Sequence, residues 1–174
     1  NDHESTVTWQ VLRSEFDRML QDNAEEKGAK IVRGASVLEV LFAEGRAVGV
    51  RVRMPDGESE TIHCRVVVDA SGQSALISRK LMIATDEPNL KKASVFTHYL
   101  NGYRDEGVDE GATLILQTSD NNAWFWYIPL SDNRVSVGVV GDIDYLFEDR
   151  SLDSQQIFER ELVKCVPMQE RLKD

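Results

Sequence analysis

Apolar and polar positions change period several times along the chain, and each change marks an element. Val7, Trp9 and Val11 alternate with Thr8, Gln10 and Leu12, an extended segment after a polar, fraying start from Asn1 to Thr6. Phe16, Met19, Leu20 and Ala24 then recur at helical spacing. Ser14 with Asp17 three residues on resembles a capping box, and Gly28 stands where a C-cap belongs. The spacing predicts a helix from about Glu15 to Lys27. From Lys30 to Cys64 the pattern predicts a three-stranded meander. Val37, Leu38, Val40 and Leu41 form one strand, and Val48, Val50 and Val52 alternate with Gly49, Arg51 and Arg53 on the next. Glu44-Gly45 and Pro55-Asp56-Gly57 are its turns, and Thr61 and Ile62 lie on the third strand.

Arg65-Val66-Val67-Val68-Asp69-Ala70-Ser71-Gly72 breaks this alternation. Three consecutive valines predict a strand buried on both faces, ending at Asp69 and followed by a helix-like Ala75 to Arg79. Ala70 and Gly72 present little side chain, so backbone can approach a ligand there, at the end of a strand where open α/β sheets bind theirs. The same residues also fit an ordinary strand-to-helix turn, with Gly72 chosen for its dihedral freedom.

Leu81 to Leu90 is an irregular connection. Beyond it, Ala93 to Tyr103 alternates, with Val95, Thr97, Tyr99 and Asn101 on one face and Ser94, Phe96, His98 and Leu100 on the other. Asp105 to Glu110 reads as an acidic hairpin loop, Thr113 to Gln117 and Trp124 to Pro129 as strands, and Ser131 to Arg134 as a turn. Val135, Val137 and Val139 belong to the last strand. Four strands with short turns predict an antiparallel sheet, followed by a helix near Ser154 to Lys164 that ends before Pro167. In Trp124-Phe125-Trp126-Tyr127-Ile128-Pro129 both faces are apolar, so this strand is expected to be covered on both sides, and its tryptophans fit a core role. The fold class is α+β (mixed α/β), with residues 1–80 as one part and 81–174 as another.

At 174 residues the chain holds one domain or parts of two, and 41% apolar residues suffice for a core. A formal net charge of −10 argues against nucleic acid or an anionic membrane as partner. No apolar run reaches the roughly 20 residues of a membrane span. With no signal peptide at the start, Cys64 and Cys165 read as reduced, partly buried thiols of a cytoplasmic protein. A start at Asn1 rather than Met suits an excised fragment. His3, His63 and His98 are too scattered to predict a metal site, and no phosphate-binding loop or nucleophile–base pattern is present.

Two motifs narrow the reading. Val67-Val68-Asp69-Ala70-Ser71-Gly72-x-Ser74 resembles the motif of flavoprotein monooxygenases, in the form carried by flavin-dependent halogenases and geranylgeranyl-reductase-like proteins. The resemblance implies that Asp69, Ala70 and Gly72 lie against FAD. Val11-x-Arg13-x-x-Phe16, running on to Gly28, resembles the first helix after the dinucleotide fold, which implies a cofactor contact for Arg13. By the same resemblance, backbone near Val37 meets adenine. Trp124-x-Trp126-x-Ile128-Pro129 is similar to the halogenase signature, and Leu130-Ser131-Asp132 with Val135 to Val140 resembles its phenol- and pyrrole-acting branch.

What the resemblance implies is part of a FAD/NAD(P)-binding flavoprotein fold: a FAD-binding portion in residues 1–80 and the antiparallel sheet of the substrate-binding portion in 81–174. It implies a FAD-dependent halogenase acting on a small electron-rich aromatic through flavin hydroperoxide and hypohalous acid. Halide, O₂ and a separate flavin reductase would be its partners, with a carrier protein presenting the substrate left open. Trp124, Trp126, Ile128 and Pro129 then mark the passage between flavin and substrate, with no acid, base or nucleophile role. Gly-x-Gly-x-x-Gly is absent, and the family's catalytic lysine belongs N-terminal to these residues, so this chain alone is expected neither to retain FAD nor to catalyse. A FAD-dependent hydroxylase, a geranylgeranyl-reductase-like enzyme and a non-enzymatic interaction domain are the alternatives.

Overall fold

The structure is a computed structural model that describes residues 9–85 and 87–173. The polar start, Val7, Thr8 and His3 lie outside the described residues. Two compact units are formed, one of Leu20–Asp86 and one of Asn1–Met19 with Glu87–Asp174. The residues up to Met19 thus group with the C-terminal unit. No helix among the described residues is long and apolar enough to cross a membrane.

Helix α1 (Arg13–Glu26) begins two residues earlier than its spacing predicts. Ser14 is therefore inside the helix rather than its cap, and Leu12 O accepts the first bonds, from Glu15 and Phe16 N–H. Asp17 is taken instead by Arg13, whose Nε and Nη2 donate to the two carboxylate oxygens at 2.9 and 3.0 Å. Gly28 closes the other end as expected, with Gly28 N–H donating to Glu25 O and Ala29 N–H to Ala24 O, a Schellman arrangement.

In the Leu20–Asp86 unit, β1 (Ser36–Ala43), β2 (Arg46–Arg53) and β3 (Ser59–His63) form the expected antiparallel meander in the order β1-β2-β3. Its core is small, with Val40 and Val52 buried. Arg33 reaches Gln21, Asp22 and Glu25 of α1 from the loop before β1. The expected valine strand is absent. Residues 65–71 have no ladder, and Val66 and Val68 are 70% and 84% exposed. A valine run is buried on both faces only when strands flank it and layers cover it, and no described strand pairs with this one. Helix α2 (Leu76–Lys80) follows.

In the other unit β4 (Lys92–Leu100), β5 (Leu114–Gln117), β6 (Ala123–Pro129) and β7 (Arg134–Asp142) form the predicted antiparallel sheet, but in the order β4-β7-β6-β5. The acidic segment 105–110 is thus no hairpin loop: β4 pairs with β7, and residues 101–113 cross from one sheet edge to the other. Arg171 fixes this crossing by two hydrogen bonds to Asp105, at 2.9 and 3.1 Å. Turn residues Asp132 and Asn133 both adopt positive φ, the conformation that a tight β6–β7 reversal requires and that Asp and Asn tolerate.

One face of this sheet is the core. Phe125, Tyr127, Val135, Val137 and Val139 pack against Leu146 of α3 (Ile143–Leu146), Ile157 and Phe158 of α4 (Ser154–Leu162) and Met168 of α5 (Val166–Arg171). Phe125 and Phe158 meet edge to face at 5.5 Å. Asp153 and Gln156 form a capping box for α4. α4 is the predicted C-terminal helix and ends before Pro167 as expected, but a further helix follows, with Pro167 in the first turn of α5, where its missing N–H has no partner to lose. Cys165, also placed at this junction, is fully buried, whereas Cys64 is exposed, so neither thiol is partly buried as expected.

Candidate functional site

Asp69 organises the loop that follows the valine run. Its Oδ1 accepts Ser71 N–H at 3.0 Å, and its Oδ2 accepts Ile77 N–H at 2.8 Å. One carboxylate thus turns the chain and holds the start of α2. Hydrogen bonds from the Ser71 side chain, from Ile77 N–H and from Ser71 N–H keep its pKa below the usual carboxylate range. Gly72 has φ +60, and a Cβ there would meet nothing within 4 Å, so backbone conformation rather than space calls for glycine.

Beside this loop lies a slot of about 610 Å³ within the Leu20–Asp86 unit. Val37, Val40 and Val50 of the meander form one wall, and Val68, Asp69 and Ala70 are on another. Three predicted cofactor residues, Val37, Asp69 and Ala70, are therefore brought together, while Gly72 shapes the loop without lining the slot. Apolar walls with a small residue and a carboxylate at the rim suit a flat ring bearing polar edges.

The second unit carries the tryptophan motif. On β6, Phe125, Tyr127 and Pro129 are buried in the core, whereas Trp124 is 37% exposed and Trp126 and Ile128 are half-buried on the opposite face. The expectation of cover on both sides fails here, because α3, α4 and α5 all pack on the Phe125 face and no described helix covers the other. Phe96, Leu100 and Ile115 are exposed hydrophobics of the same sheet.

Within the same unit a cleft of about 650 Å³ is lined by the segment from Trp9 to Leu12 with the first residues of α1, Arg13 and Ser14, and by Phe96, His98, Ile128, Leu130 and Ser136. Arg13 and Ile128, predicted separately, both line it. The Arg13 guanidinium, its pKa raised by the hydrogen bond to Asp17, stays on the solvent side with 77% of its side chain exposed. Pro129 is buried and sits with Leu130 in a smaller adjoining hollow. Gln10 joins the segment to the sheet by donating to Thr113 Oγ1 at 2.7 Å. His98 and Ser136 were not singled out by sequence. Strand alternation places both on the outward face, but nothing in their spacing marks that face as a cleft wall. Among the described residues no group of His, Cys, Asp and Glu could hold a metal ion.

The tryptophan halogenase family model matches residues 2–168. The chain belongs to this family. It is 33% identical over 150 residues to the flavin-dependent halogenase armH4 of Armillaria mellea, covering 82% of this chain and 28% of that protein. It is 34% identical over 144 residues to the 1H-pyrrole-2-carbonyl-[peptidyl-carrier protein] brominase of Pseudoalteromonas luteoviolacea, covering 82% of this chain and 35% of that one. The myxobacterial chondrochloren halogenase CndH, a FAD-dependent halogenase, superposes with a TM-score of 0.80 at 32% identity, covering 95% of this chain and 37% of that structure. The chain thus spans 28–37% of the length of these halogenases.

Proposed function

We propose that these residues are part of a flavin-dependent halogenase that acts on an electron-rich aromatic ring of phenol or pyrrole type. The observation that carries the reading is the motif Trp124-x-Trp126-x-Ile128-Pro129 on β6, with Trp124, Trp126 and Ile128 on the outward face and Ile128 lining a cleft of about 650 Å³, in a chain of the halogenase family.

The slot beside Asp69 fits part of FAD. The valine walls accept a flat base, Ala70 allows close approach, and Asp69 holds the loop backbone in place. Val37, Asp69, Ala70 and Gly72 are the residues that would hold or shape the cofactor there. When bound, FAD supplies the activation of O₂ that turns halide into hypohalous acid, with reducing equivalents from a separate reductase. This chain's residues contribute binding and water exclusion: the Trp9 to Ser14 segment and the apolar strand face form a wall along which a ring can lie. A carrier protein presenting the substrate is consistent with the name of the pyrrole-acting relative.

The test uses the full-length protein with FAD, a flavin reductase, NADH, chloride or bromide and a panel of phenols and pyrroles. Halide-dependent product carrying one halogen is expected by mass spectrometry. Oxygenated product independent of halide would replace the halogenase reading with a hydroxylase.

A further inference from the structure

The Trp126 indole is seated by its cross-strand neighbours. Register places Gly138 of β7 opposite Trp126, and Phe96 of β4 opposite Gly138, so a glycine lies between two aromatic residues in one row. A Cβ at Gly138 would fall 2.3 Å from Cζ2 and 2.5 Å from Cη2 of the indole, and 2.7 Å from Phe96 Cβ. The ring therefore lies directly over the glycine and could not do so over any other residue. Phe96 and Trp124 flank it, with ring centroids at 6.0 and 6.5 Å. Its orientation is then fixed by Nε1–H, which donates to Ser136 Oγ at 3.1 Å.

That bond has a consequence for Ser136. An indole N–H can only donate, so the serine oxygen accepts and its own proton must point elsewhere. Among the described residues no acceptor takes it. Ser136 is half-buried and lines the cleft together with Phe96, Ile128 and Leu130, so the cleft is the direction left for the proton. Gln10, Arg13, Ser14, His98 and Thr113 also line the cleft, so Ser136 is one of several polar groups there. A hydroxyl held in a fixed orientation among Phe96, Ile128 and Leu130 still selects for a matching acceptor, because a ligand lacking one leaves it unpaired.

We propose that Ser136 donates a hydrogen bond to an acceptor oxygen on the aromatic ligand of this cleft, an acyl carbonyl or a phenolate, with Trp126 and Gly138 as the positioning residues that aim it. The identity of the ligand as a ring rests on the halogenase reading, while the donor itself rests on the geometry.

The test measures binding to the full-length protein by calorimetry, without reductase or halide. The probes are 2-acetylpyrrole and 2-ethylpyrrole, which share shape and differ in the carbonyl. Ser136→Ala should weaken 2-acetylpyrrole by about 5-fold, the worth of one neutral hydrogen bond, and leave 2-ethylpyrrole unchanged. Trp126→Phe, which keeps an aromatic body but removes the N–H, should weaken the same probe selectively. Thermal melts of both variants check that the fold is kept. Equal losses for both probes, no loss for either, or no binding of 2-acetylpyrrole to the unmodified protein would overturn the proposal. Selective loss in a protein that makes no halogenated product would sink the halogenase reading and leave the Ser136 donor standing.

Discussion

Replacing Glu161 tests the packing of the sheet against its helices. This carboxylate is fully buried on α4. Its Oε1 accepts from Arg160 Nε at 2.7 Å and Lys164 Nζ at 3.2 Å, and its Oε2 accepts from the Tyr145 hydroxyl at 2.8 Å. Removing one partner of a buried ion pair ordinarily costs about 3–5 kcal/mol, because the other charge is stranded. Here the partners have fallbacks. Lys164 and Tyr145 also reach Asp120, at 3.2 and 3.0 Å, and Arg160 Nη2 donates to Leu146 O at 3.0 Å. Only Arg160 Nε loses its acceptor outright, and that side chain is 23% exposed, so water relieves part of the loss. Glu161→Ala should therefore cost about 3 kcal/mol, the low end of the range. Glu161→Gln, which keeps one acceptor oxygen, should cost about 1–2 kcal/mol.

Tryptophan emission is the suitable signal, because Trp9, Trp124 and Trp126 all belong to the unit that contains Glu161. For a unit of this size each kcal/mol moves the melting midpoint by about 4–8 °C, so Glu161→Ala should lower it by roughly 12–24 °C. High salt should leave the difference largely intact, since it screens exposed pairs far more than buried ones. A loss below about 1 kcal/mol, or one abolished by salt, would refute the reasoning, because the carboxylate would then behave as a surface charge.

Four further outcomes are expected. Gly138→Ala should displace the Trp126 indole, shifting its emission and costing about 1–3 kcal/mol as overpacking does, and an unchanged spectrum would contradict the close seating. Burial opposes the charge on Asp120, but hydrogen bonds from Thr118, Asn122 N–H, Lys164 and Tyr145 outweigh it and hold its pKa well below the unperturbed 3.8. A depressed folded pKa means that its stabilisation is present above about pH 4 and is lost as pH falls further, so Asp120→Asn should flatten the acid limb of an emission titration. Asp69→Ala should speed amide hydrogen exchange at Ser71 and Ile77, whereas Asp69→Asn should slow that effect by keeping one acceptor oxygen. A thiol reagent should modify Cys64 in the native protein and Cys165, whose thiol burial pushes to higher pKa, only after unfolding; two fast thiols would contradict the buried position.

Local patterns carried most of the secondary structure. The meander, its turns, the Gly28 cap and four antiparallel strands follow from period-two alternation and turn residues, which are properties of a few neighbouring positions. Strand order did not follow. Nothing local distinguishes a hairpin at 105–110 from a crossing, because the β4–β7 pairing joins Lys92 to Asp142, fifty residues apart. Ser14 was misread for a related reason: Ser-x-x-Asp marks a helix start only while Asp17 is free, and Arg13 occupies it. In the candidate site, Asp69, Ala70 and Val37 were found through motif and resemblance and do share one slot. His98 and Ser136 carried no such signal, since only strand pairing brings them to a common wall.

The two largest misreadings, the valine run and the tryptophan strand, have one cause. Consecutive apolar residues record that a segment is to be covered on both faces, but not which atoms do the covering. For Phe125 and Tyr127 the cover lies within this chain, in Ile157, Phe158 and Met168. For Val66 and Val68 described residues supply little of it, for Trp124 only part, and these are the segments that flank the slot and bear the halogenase motif. Exposed apolar surface costs about 25 cal/mol per Å², so a sequence that keeps it in two places beside candidate binding sites is written for contacts beyond those described here. Under the proposed function these are the two surfaces that cofactor and substrate would cover, and the Asp-Ala-Ser-Gly loop beside an apolar slot is what that proposal explains and a free-standing interaction domain does not.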